Sequence, residues 1–215
     1  MTRRPSWRVA GVLALSALWL LGCGKDHGTG STQNAPLFEF NAQQNGGRTV
    51  RWANLPVRVF LGGGVARVDE VATWTAATDG AVTFTFVGSA GVANVTFGFR
   101  SGTDICAVTY LEFTDDGDIT SAEVQVSQSI YRGPQCQRTV THETAHAIGF
   151  LGHTSDGGLM DPDGGNGVIT PLDAGVLRDL YHLPPGTSVS AESKRFGLRR
   201  PGGKNVMTFV YPVRR

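Results

Sequence analysis

Residues 57–61 (Val-Arg-Val-Phe-Leu) are β-branched and alternate between apolar and polar, so they read as a strand that three glycines then end. The pattern changes period at once. Val68, Val71, Ala72, Thr75 and Ala76 recur at three- and four-residue steps, which predicts an amphipathic helix over 65–78, closed by Gly80. Alternation returns over 82–87, 93–99 and 105–113, and again over 122–127 after the turn Asp115-Asp116-Gly117-Asp118. Gly133-Pro134 breaks the chain ahead of a helix over about 137–148. Thr170-Pro171-Leu172-Asp173 starts a last helix, with proline at its first position and an acid in its first turn, and Pro184-Pro185 follow it. His182 at that helix end reads as a surface or capping residue. No internal repeat appears. The order gives an α+β domain over 37–185, and about 150 residues suffice for one core.

The two ends of the 215-residue chain differ from this domain. Residues 1–22 combine Arg3, Arg4 and Arg8 with an apolar stretch over 9–21, the pattern of an export signal, and too short to span a bilayer comfortably. The ending Leu20-Leu21-Gly22-Cys23 resembles a bacterial lipobox, which implies lipidation of Cys23. That makes the chain an exported lipoprotein, held at a membrane and facing the periplasm or cell surface. Residues 23–36 are small and polar and read as its tether, with His27 a bystander. In an oxidising compartment the remaining Cys106 and Cys136 suggest one disulfide, although two buried free thiols would also fit.

Charge sets the other end apart. Residues 194–215 hold seven basic residues and no acidic ones, whereas 23–193 hold nine basic and eighteen acidic. The extension 186–215 is expected to be solvated; the other readings lay it on an anionic membrane surface or on the acidic body. It is too short and too poor in aromatics to suggest nucleic-acid binding.

One run carries the chemistry: His142-Glu143-Thr144-Ala145-His146-Ala147-Ile148-Gly149-Phe150-Leu151-Gly152-His153, followed by Met160. Three of the chain's five histidines fall within it. His142 and His146 are four apart and share a helix face. Gly149 can end the helix and turn the chain so that His153 returns. Three imidazoles leave a tetrahedral ion one open position for water, and Glu143 stands beside it as a base. A purely structural zinc site closes its fourth position and needs no such base.

These residues resemble the metzincin clan of zinc peptidases, and His-Ala-Ile-Gly through Gly-His-Thr-Ser-Asp-Gly-Gly-Leu-Met-Asp-Pro is most similar to the matrixins. The resemblance implies a zincin-like fold: a mixed, mostly parallel twisted sheet of about five strands, an active-site helix, a methionine turn and a C-terminal helix. It also implies zinc held by His142, His146 and His153, Glu143 as general base, and Met160 in the turn beneath the metal. One departure stands out. The family places its third histidine ten residues after the first, where this chain has Gly152; His153 is eleven after, and the loop to Met160 is one shorter. Asp156 is the nearby substitute ligand.

The function implied is zinc-dependent metalloendopeptidase activity by a monomer on a peptide or protein substrate. The substrate would add as an extended strand to the edge formed by 107–112. The alternatives are a zinc-containing binding module on a peptidase scaffold and a zinc amidase acting on cell-wall peptide. Calcium is a secondary expectation at Asp115–Asp118 and at 161–166, whose oxygens suit a hard ion, although neither has a full loop signature and polar turns account for both. No cysteine-switch motif precedes the domain, so latency would come from elsewhere, such as the basic tail.

Overall fold

The computed structural model describes residues 35–189 and 203–214. Cys23, His27, the signal segment and the tether up to residue 34 lie outside these. In chain order the elements are helix α1 (Ala35–Phe40), strand β1 (Val57–Leu61), helix α2 (Val68–Ala77), strands β2 (Phe84–Phe86), β3 (Val95–Arg100), β4 (Ile105–Thr114) and β5 (Ile119–Ser127), helices α3 (Thr139–Ala147) and α4 (Pro171–Tyr181), and strand β6 (Lys204–Pro212). The six strands form one mixed sheet in the order β2-β1-β3-β5-β4-β6. The β2-β1, β1-β3 and β3-β5 pairs are parallel, while β4 runs antiparallel to both β5 and β6.

The α+β class and the mixed sheet agree with the sequence pattern, with two differences. The sheet has six strands, not five, because part of the basic extension expected to be solvated pairs along the whole of β4, from Ile105↔Pro212 to Thr114↔Lys204. Ala35 and Pro36 begin α1 and do not belong to the tether. Leu37 and Phe40 of that helix are buried, and Phe40 stacks on Phe150 with ring centroids 5.5 Å apart.

All nine residues of α3 are buried, because β4, β5, β6 and α2 surround it. Distant side chains satisfy its backbone. Trp74 Nε1 donates to Thr141 O at 2.8 Å, Trp52 Nε1 to Ala147 O at 2.9 Å, and the Tyr181 hydroxyl to Ile148 O at 3.0 Å. The last two of these bonds take up carbonyls at the C-terminal end of the helix, which leaves them without an internal partner. Gly149 follows at φ +105°, where a Cβ would stand 2.5 Å from Val50 O, so only glycine makes this turn without strain. Asn41 then fastens it, donating to Gly149 O and to Val50 O at 2.6 and 2.7 Å.

The Cys106–Cys136 disulfide joins β4 to the segment that leads into α3. It closes a loop of 30 residues that carries β5. At α4, Thr170 and Asp173 form a capping box, the Thr170 hydroxyl accepting from Asp173 N and the Asp173 carboxylate from Thr170 N.

Candidate metal centre

The rigid turn of α3 aims two imidazoles at one point. His142 Nε2 lies 3.1 Å from His146 Nε2, and the reversed chain brings His153 Nε2 to 3.2 Å from His146 Nε2. Nitrogens on a tetrahedral zinc at the usual bond length stand about 3.3 Å apart, so the three fit one ion. Among the described residues this is the one His/Cys/Asp/Glu group that converges tightly enough to hold a metal.

The outer nitrogens fix the rings. His142 Nδ1 bonds Leu159 O at 2.7 Å and His146 Nδ1 bonds Phe150 O at 2.6 Å. A carbonyl only accepts, so each Nδ1 carries the proton and each Nε2 keeps its lone pair for a metal. Burial acts in the same direction. It pushes the His142 imidazole down to about 3 and His146 well below the ordinary range, with the neighbouring imidazoles adding to it. His153, half-buried, is lowered by burial too, against the opposing charge of Asp161. All three are therefore neutral at pH 7, the form that ligates.

A Cβ on Gly152 would come within 3.1 Å of the Phe40 ring, so α1 packs closely against this position. The next residue, His153, reaches the cluster. Asp156 does not. Its carboxylate accepts from Gly158 N at 3.0 Å and from the Thr170 hydroxyl at 2.8 Å, which ties the loop to the start of α4. Met160 is fully buried, and its carbonyl accepts from Thr154 N at 2.9 Å. The adjoining Leu159 carbonyl is the one that holds His142. His182 caps α4 through its backbone N–H, which donates to Arg178 O.

Glu143 is fully buried on α3. The Thr109 hydroxyl of β4 donates to its Oε2 at 2.5 Å, while Oε1 is buried without a hydrogen-bond partner. Burial raises this carboxyl to about 8, opposed by the Thr109 bond. Thr109 carries no sequence signal beyond its place on an inward-facing position of a strand.

Two further residues at the site come from the tail. Phe209 stacks on His146 with centroids 4.3 Å apart, and Tyr211 on His142 at 4.4 Å, both pairs within 7° of parallel. Their signal in the sequence is the alternation of Met207, Phe209 and Tyr211 with smaller or polar neighbours.

The acidic turns are engaged by the protein itself. Asp118 Oδ1 accepts from Ala53 N, Asp163 Oδ1 from Gly165 N and Asp161 Oδ2 from Gly157 N, each at 3.0 Å. No family model matches the chain, and no curated protein matches it.

Proposed function

We propose that the chain is a zinc-dependent metalloendopeptidase in which His142, His146 and His153 hold the metal and Glu143 is the general base. The observation that carries this reading is the state of Glu143. Its carboxyl is buried on the helix that carries His142 and His146, with one oxygen fixed by Thr109 and the other unpartnered, an arrangement that suits a reacting group better than a structural one. Burying such a group without full hydrogen bonding is costly, and functional sites are where that cost persists. A zinc ion bound there supplies a Lewis acid that acidifies water, polarises a carbonyl and favours the ionised form of the nearby carboxylate.

This chain's residues do the rest. Glu143 takes a proton from water through the oxygen that Thr109 leaves free, and returns it to the amine that departs. Thr109 keeps the carboxylate in one rotamer. The buried walls of α3 and β4 exclude bulk water, which strengthens each of these interactions. A peptide substrate would lie extended along the β4 edge nearest Glu143. The Cys106–Cys136 disulfide supports an oxidising location, as export would provide.

The test offers a peptide library to the zinc-loaded chain and to Glu143→Ala, each with and without Phe209→Ala/Tyr211→Ala to clear the rings over the imidazoles. Glu143→Ala is expected to keep its zinc and lose about 10²–10⁴-fold in cleavage rate. Zinc bound by all four proteins with cleavage by none would replace this reading with the binding module.

A further inference from the structure

The substrate edge is already filled. β4 has β5 on one side and β6 on the other, both antiparallel and both in register over most of its length. No second extended chain can pair with β4 while β6 is there, since each edge of a strand pairs with one neighbour. We propose that β6 is a built-in peptide ligand. It occupies the strand-acceptor edge beside the candidate zinc centre, closes the enzyme to substrate, and must leave before another peptide binds. This rests on the peptidase reading above.

The tail is seated by specific contacts and does more than drape over the edge. Phe209 pairs with Thr109, the residue that holds Glu143, and stacks on His146. Two residues on, Tyr211 stacks on His142, and its hydroxyl lies 3.0 Å from both Gln137 O and Asp163 O. The adjoining loop is shaped around that hydroxyl: a Cβ on Gly164, which has φ +78°, would overlap it at 1.8 Å. Arg214 then donates to Asp163 O at 2.7 Å and to Gly165 O, so the basic tail is anchored on the acidic loop. At the other end Asn205 donates to Asp115 at 2.8 Å.

The outward positions look different. Val206, Thr208 and Val210 are exposed, so only every second side chain of β6 is read by the site. That is how an added strand is recognised: main-chain pairing gives affinity, and alternate side chains give choice. The seats of Phe209 and Tyr211 accordingly favour peptides with large aromatic or apolar residues two positions apart.

An intramolecular occupant lowers the fraction of chains open to substrate, which raises the apparent Kd without changing the chemistry. The test uses zinc-loaded full chain, Phe209→Ala/Tyr211→Ala, and a second variant ending at Pro201, each accepted once zinc content and circular dichroism match the parent. Cleavage of an extended peptide should show KM lowered about tenfold or more in the variants with little change in kcat. A labelled peptide of residues 203–214 should bind the variants and compete with substrate, whereas a scrambled peptide should not. Equal KM and equal binding of that peptide in parent and variants would overturn the gate. No cleavage by any protein, with labelled peptide held by the variants alone, would overturn the peptidase reading and leave the gate standing.

Discussion

Helix α3 and strand β6 meet at the same imidazoles and are built on opposite terms. The helix is buried on every side, yet its nine residues include only two alanines and one valine as apolar members. Its polar groups are tolerated because tryptophan and tyrosine side chains and the Leu159 and Phe150 carbonyls answer them. The strand instead shows one face to solvent, and its inward face offers rings with little polar chemistry. The helix carries the groups that can do chemistry, and the strand carries groups that can only cover them. The two elements at the histidine cluster can thus be told apart by what each buries.

The comparison breaks most readily at the third ligand. His153→Ala should lower zinc affinity by well over the roughly 10–100-fold that loss of an outer-shell partner costs. Asp156→Ala should leave affinity within a few-fold, because its contacts are to Gly158 and Thr170. Competition with a chromogenic chelator reads both, and the reverse order would move the ligand assignment to Asp156.

The next effect concerns what holds helix and sheet together. Replacing Cys106 and Cys136 by alanine opens a 30-residue loop. The expected loss is about 3.5 kcal/mol of stability in the chain-entropy picture. A denaturant titration checks it, and a change below about 1 kcal/mol would show that the sheet and α3 hold each other without the crosslink.

The smallest effect lies away from the imidazoles. Burial, with the charge of Asp156 adding to it, raises the buried Asp173 carboxyl to about 6 against hydrogen bonds from Thr170. The unfolded carboxyl titrates near 3.9, so between about pH 4 and 6 the folded state binds more protons. Asp173 therefore makes stability fall as pH rises through that window. Asp173→Asn keeps the acceptor for Thr170 N and should flatten this slope, by about 1–3 kcal/mol between pH 4 and 7. Parallel unfolding curves for parent and variant at both pH values would contradict it.

Much of this was open to reading in the chain. The run from His142 to His153 states the site because chemistry demands residue types at fixed spacing, and strand β1 lies where alternation puts it. The pattern over 82–87 yields only the three residues of β2, which pair with Val57–Val59 alone. Helix α1 is six residues long, below the length at which periodicity shows. Its Phe40, 112 positions upstream, packs against Gly152 only after folding, a contact that spacing cannot express. Strand β6 was hidden by charge. Residues 204–212 have the β-branched and aromatic make-up of a strand, but the arginines and lysines around them suggest solvent. The pairing partner, β4, lies about ninety residues upstream, as Thr114↔Lys204 shows.

The proposed reaction depends on three histidines sharing one zinc with a position left open. Zinc-edge X-ray absorption on the purified full chain tests it most directly. The expected spectrum shows one zinc with three imidazole nitrogens at about 2.0–2.1 Å and a fourth, non-protein light-atom ligand. A closed shell of four protein ligands, or no stoichiometric zinc, would contradict it.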